Sequence, residues 1–166
     1  MKVFIVQHGL SMPEEMDPEK GLSPEGNKQS RHVAEFLREK NIRVDSIWHS
    51  PKKRAVQTAH IMAEILACSD NQERKDLNPL EAIGNIPGEI KSLDKNLMIV
   101  GHLPFLQKLA SCLLSGTEDN QFISIRNSGV ICLEYTDTWK LLWTVIPELL
   151  EAESDQSEFD SSKFGC

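Results

Sequence analysis

Three residues of this chain have side chains suited to handling a tetrahedral anion. His8 and His102 each stand two residues beyond an apolar run, Val3-Phe4-Ile5-Val6 and Leu97-Met98-Ile99-Val100. A neutral imidazole whose second nitrogen is held can attack phosphorus. Arg54 lies four residues after Ser50-Pro51, a hydroxyl cap followed by a proline that favours a helix start. A helix N-terminus presents unpaired amide donors and a positive dipole end, and an arginine there adds a planar fork matched to phosphate oxygens. Taken singly, Arg54 also fits a surface cation, and a strand-end histidine also fits a structural role. Two histidines in the same context make a shared site the stronger reading.

The elements that must position these residues alternate between two periods. Lys2 to Gln7, Val44 to His49 and Asn96 to Val100 read as short strands, and unbroken apolar runs of this kind suit a parallel sheet covered on both faces. Residues 10–21 carry Pro13, Pro18 and Gly21 and form a loop. A helix begins near Ser23 with Pro24 in its first turn and places Val33, Phe36 and Leu37 on one face. A second helix is expected from Ser50-Pro51 to about Ala67, and another from Pro104 to about Ser115. Residues 68–75 read as a polar connection, Asp76 to Leu80 as a brief edge strand limited by Pro79, and residues 81–95 as a loop with a short helix after Pro87. Val130 to Tyr135 and Trp139 to Ile146 read as two strands joined at Thr136-Asp137-Thr138. The expected architecture is α/β, a three-layer sandwich around a mostly parallel sheet, and such sheets bind ligands at the carboxyl ends of their strands.

A chain of 166 residues favours one domain, here 1–147, followed by an acidic and flexible segment over 148–166. The formal net charge is −7, which argues against a nucleic-acid partner. No apolar run approaches the roughly 20 residues that span a bilayer, and the N-terminus has no signal-peptide pattern. A cytoplasmic, membrane-free protein is expected. Cys68, Cys112, Cys132 and Cys166 show no metal-binding spacing. Cys112 and Cys132 read as small buried hydrophobes. Glu14, Glu15 and Asp17 lack EF-hand spacing. His32 and His60 read as solvated, Trp48, Trp139 and Trp143 as core, and His49 either as a pocket neighbour or as a structural histidine.

Four segments together resemble the histidine phosphatase superfamily, with its phosphoglycerate mutase-like fold. Gln7-His8-Gly9 resembles the opening Arg-His-Gly motif. Leu22-Ser23-Pro24-Glu25-Gly26 resembles a Leu-Thr-x-x-Gly segment. Ser50-Pro51-Lys52-Lys53-Arg54-Ala55-Val56-Gln57-Thr58-Ala59 is similar to the helix start Ser-Pro-x-x-Arg-Ala-x-Gln-Thr-Ala, the most specific of the four. Gly101-His102-Leu103-Pro104 resembles the second histidine motif. They fall in family order over about residues 1–135. Gly-His-Leu-Pro, the small size and Leu77-Asn78-Pro79 are similar to the SixA-type phosphohistidine phosphatases.

The resemblance implies a phosphatase acting through phospho-His8 on a histidine-containing phosphotransfer protein, without metal or cofactor; the oligomeric state is left open by the sequence, with a monomer favoured. Arg54 and His102 would bind phosphoryl oxygens, with Gln7, Gly9 and Ser50 also lining the substrate site. A carbonyl near Gly9 could hold the second nitrogen of His8. Glu81 is the candidate general acid, with a solvated loop glutamate as the plainer reading. A phosphohistidine substrate has less need of an acid than an ester, since a protonated imidazole leaves neutral. The departure is Gln7, which donates hydrogen bonds but supplies neither charge nor fork. Lys52, Lys53 and Arg126 are the cations that could compensate. The alternatives are a phosphatase for small phosphate esters and a non-catalytic phosphate binder, the latter motivated by Gln7.

Overall fold

The computed structural model describes residues 1–119 and 123–150. The acidic segment expected to be flexible lies, from residue 151 onward, outside them. Six strands form one sheet: β1 Lys2–Gln7, β2 Ser46–His49, β3 Asn71–Glu73, β4 Leu97–Gly101, β5 Val130–Tyr135 and β6 Trp139–Val145. Their spatial order is β3-β2-β4-β1-β5-β6. The first four run parallel, and β5 and β6 are antiparallel additions. The helices are α1 Pro24–Glu39, α2 Lys53–Leu66, α3 Ile86–Leu93 and α4 Phe105–Ser115. The α/β sandwich with a mostly parallel sheet is the architecture the alternating periods predict.

The apolar run of β1 is explained by burial on both faces. Val3 and Ile5 pack with Phe105, Leu106 and Leu109 of α4. Phe4 and Val6 point the other way, towards Val33 and Leu37 of α1 and Ala55, Ala59 and Met62 of α2. A strand with a period of two meets a core on each side only inside a covered sheet. Ser23 caps α1 as expected, its Oγ accepting from the Gly26 amide at 3.0 Å. Trp48 and Cys132 are buried, whereas Cys112 and Trp143 are partly so.

Three expected boundaries move. The strand anticipated at Asp76–Leu80 is instead a 3₁₀ turn over Lys75–Leu77, and the strand lies in the stretch read as a polar connection, Asn71–Glu73. β3 is an outer strand whose side chains are partly or fully exposed, so no apolar alternation marks it. Leu77 is drawn into the core, and the Arg74 guanidinium stacks 4.2 Å from the Trp48 ring centroid. Helix α2 starts at Lys53, with Lys52 rather than Ser50 at the cap, because the Ser50 hydroxyl is engaged elsewhere. Finally, α3 begins at Ile86, one residue before Pro87.

Candidate active site

Register brings the two histidines together. Gln7 of β1 pairs with Gly101 of β4 in a parallel ladder, so the next residues, His8 and His102, leave neighbouring strands at the same level. Their ring centroids are 4.9 Å apart. On the other side of β4, His49 pairs with Val100, which delivers Ser50 to the same edge. Helix α2 follows directly and presents Arg54 in its first turn. Three adjacent strand ends and one helix start therefore converge.

His8 is held at four points. Its Nδ1 lies 2.7 Å from the Gly9 carbonyl. An oxygen acceptor there fixes the proton on Nδ1 and leaves Nε2 with its lone pair. Arg54 Nε donates to that Nε2 across 3.1 Å. The backbone is pinned as well: His8 N donates to the Gly101 carbonyl at 3.0 Å, and the Asn127 side-chain amide donates to the His8 carbonyl at 2.9 Å. Gly9 N donates to Thr58 Oγ1, whose hydroxyl donates back to the Arg54 carbonyl at 2.8 Å. The His8-Gly9 turn and the Arg54 turn are thus tied through one threonine.

Gly9 fits because nothing larger does. A Cβ built there would stand 2.6 Å from Ser30 Oγ and 2.9 Å from the Gly26 carbonyl oxygen. Gly26 meets the reverse constraint, since its own Cβ would lie 2.1 Å from the Leu10 carbonyl oxygen. The two glycines let the chain after His8 press against α1.

His102 is 2 % exposed. Its Nε2 lies 2.9 Å from Ser50 Oγ, and its Nδ1 has no hydrogen-bond partner among the described residues. Ser50 Oγ is also 3.4 Å from Asn78 Oδ1. Burial lowers both imidazoles. His8 falls from 6.5 to about 4, chiefly through desolvation; the Gly9 carbonyl opposes the fall and Arg54 adds to it. His102 falls to about 3, again chiefly through desolvation, with His8, Arg54 and Lys52 contributing. Both rings are neutral at pH 7, which leaves Arg54 as the permanent cation between them.

The remaining candidates are placed as follows. Gln7 ends β1 beside the site, and its Oε1 is buried without a partner among the described residues. Glu81 is exposed in the loop after the 3₁₀ turn, and among the described residues no hydrogen bond or ion pair links its carboxylate to His8, Arg54 or His102. Lys53 is taken by Asp17 and Glu19 at 3.1 and 3.0 Å, which straps the 10–21 loop to α2. Arg126 is exposed. His49 is buried, with its Nδ1 3.0 Å from the Ser50 carbonyl; it borders the site without facing its anion-binding groups. His60 is exposed and His32 partly buried. No three His, Cys, Asp or Glu side chains gather as a metal cluster among the described residues, and no helix there is long and apolar enough to cross a membrane.

Sequence reasoning missed Thr58 and Asn127 as supports. Thr58 stood inside the helix-start motif as an unexplained position. Asn127 opens an Asn-Ser-Gly turn triplet before β5, a turn signal whose partner in space had no local trace.

Comparison with known proteins shows what the chain as a whole resembles. The sequence model of the histidine phosphatase superfamily (branch 1) matches residues 3–82. The phosphohistidine phosphatase SixA of Escherichia coli (strain K12) is 25% identical over 153 residues, covering 89% of this chain and 94% of that protein. A 6-phosphofructo-2-kinase/fructose-2,6-bisphosphatase 4 from Rattus norvegicus is 33% identical over 64 residues; the match spans 37% of this chain and only 14% of that longer relative. Among solved structures, the protein histidine phosphatase SixA complexed with tungstate superposes with a TM-score of 0.82 at 21% identity, over 91% of this chain and 100% of that one.

Proposed function

We propose that this chain works as a member of the histidine phosphatase superfamily, whose sequence model matches residues 3–82, and that it removes the phosphoryl group from phosphohistidine in a protein through a phospho-His8 intermediate. The observation that carries the reading is the pairing at His8: Nδ1 tied to the Gly9 carbonyl and Nε2 facing Arg54, with His102 beside it. An imidazole held in that tautomer is a nucleophile at Nε2 over the physiological range.

The phosphoryl group enters between His8 and Arg54, and the guanidinium transfers its donors from Nε2 to the phosphoryl oxygens. The Nε2 lone pair forms the new N–P bond while the P–N bond of the substrate breaks. The departing imidazole takes that electron pair and leaves neutral when its ring already carries a second proton. Arg54 and His102 hold the oxygens as charge spreads over them. Phosphorylated at Nε2 with Nδ1 still protonated, the His8 ring is cationic, and the Gly9 carbonyl steadies it. Water then attacks phosphorus, the His8–P bond breaks, and the electron pair returns to Nε2. Phosphate leaves with the oxygen of that water. The scheme uses no metal and leaves Glu81 without a required role, in keeping with a leaving group that needs little acid assistance.

A protein substrate is supported by the residues around the strand ends. Leu10 and Met16 in the first loop and Leu80 in the loop after the 3₁₀ turn are exposed at 45%, 70% and 90%, apolar side chains more useful to docking a protein than to holding a sugar phosphate. The test is a substrate panel. Purified protein should release phosphate from a phosphohistidine phosphotransfer protein at a kcat/KM at least about tenfold above that for sugar phosphates and nucleotides, a margin of about 1.4 kcal/mol in transition-state binding. The reverse preference would make it a small-ester phosphatase. Tungstate binding without turnover on any member would make it a phosphate binder.

A further inference from the structure

The charge balance of the site is incomplete. A phosphoryl group carries about −1.5 to −2 near neutrality. With both histidines neutral, Arg54 is the cation in contact with His8 among the described residues, and Gln7 supplies no charge. Four cations lie close enough in the fold to be considered. Lys20 is spent on Glu14 at 2.7 Å. Lys53 is spent on Asp17 and Glu19. Arg126 is exposed next to Asn127, but its charge does not figure among the influences on His8 or His102.

Lys52 differs from the other three. It lines one polar cleft with Arg54, Lys20 and Lys53. It caps α2, and its backbone N–H lies 3.4 Å from Ser50 Oγ, the same hydroxyl that meets His102. Its charge is felt at His102. Its side chain is exposed and forms no ion pair among the described residues.

We propose that Lys52 is a substrate-binding residue, folding its ammonium over the bound phosphoryl group to supply the second positive charge that Gln7 withholds. An ammonium on a flexible stem is suited to this, since it acts as a point charge and does not need the preset angle of a guanidinium. The inference rests on the phosphatase reading of His8 and Arg54, and its test separates the two.

The experiment measures tungstate affinity and phosphohistidine hydrolysis for the full chain and for Lys52→Ala, Lys52→Arg, Lys108→Ala and Gln7→Arg/Lys52→Ala, with folding checked by circular dichroism. Lys52→Ala should weaken tungstate binding and lower kcat/KM by about tenfold each, as loss of one charged contact does. Lys52→Arg should stay within about threefold of the parent because the charge remains. Lys108→Ala, which removes the same charge from α4 outside the Lys52 cleft, should change neither value. An arginine at position 7 should recover most of the Lys52→Ala loss. Parental values for Lys52→Ala in an active protein would overturn the inference and leave the phosphatase reading standing. A parent that neither binds tungstate nor hydrolyses phosphohistidine would overturn both.

Discussion

Arg54 Nε donates its proton to His8 Nε2 across 3.1 Å, and an imidazole nitrogen can accept that bond only while it carries no proton of its own. The Gly9 carbonyl enforces the same state from the far side of the ring. His8 is therefore held in the tautomer that the proposed nucleophile needs, with its Nε2 lone pair covered by Arg54.

A pH dependence follows from this storage. Burial sets the folded His8 at about 4 and His102 at about 3, against 6.5 when unfolded. Above pH 6.5 both states leave the rings neutral and stability is insensitive to these groups. As pH falls from 6.5 through about 4 and on to about 3, the unfolded chain binds protons that the folded chain refuses, so stability falls. Following the imidazole C–H resonances by NMR should give a His8 midpoint near 4 in the free protein. A midpoint near 6.5 would remove the claim that the site stores a neutral ring.

Gly9→Ala should unfold more easily by about 1–3 kcal/mol, the usual cost of overpacking. The added Cβ would stand 2.6 Å from Ser30 Oγ and 2.9 Å from the Gly26 carbonyl oxygen. Because the second clash is with backbone, adding Ser30→Ala should recover only part of the loss. Urea titration of the single and double variants checks this, and full recovery in the double variant would mean that the Gly26 contact can yield.

Much of this arrangement was legible in the sequence. The apolar runs before His8 and His102 predicted buried parallel strands, and the order of the motifs placed Arg54 on the next helix. Register then did what spacing could not: only the Gln7–Gly101 pairing says that the two histidines leave the sheet at the same level. β3 escaped because Asn71–Glu73 buries too little to carry a pattern. The role of Ser50 shifted for a related reason. A Ser-Pro pair is a strong local signal for a helix cap, but a buried imidazole 2.9 Å away claims the hydroxyl, and the helix starts at Lys53 instead. Local propensity is overridden where a tertiary partner offers a better bond.

Ser50→Ala tests that exchange. Without its hydroxyl, the buried Nε2 of His102 loses its partner, a deficit of about 1–3 kcal/mol. The turnover number should fall about tenfold through misorientation of His102, and Ser50→Thr should restore more of it than Ser50→Cys, since a thiol is a weak donor. Steady-state kinetics with melting curves on the three variants would separate orientation from folding. A Ser50→Ala protein that is less stable but fully active would assign Ser50 to structure alone.

The central claim, that His8 itself carries the phosphoryl group, is tested most directly by trapping it. Full-length protein is mixed with phosphoramidate, quenched in alkali, where phosphohistidine survives, and mapped by mass spectrometry alongside His8→Ala. One added phosphoryl group on the peptide containing His8, discharged on acidification and missing from His8→Ala, is the predicted result. A His8→Ala protein that still hydrolyses phosphohistidine at the parental rate, or a phosphoryl group that settles on another residue, would contradict the account.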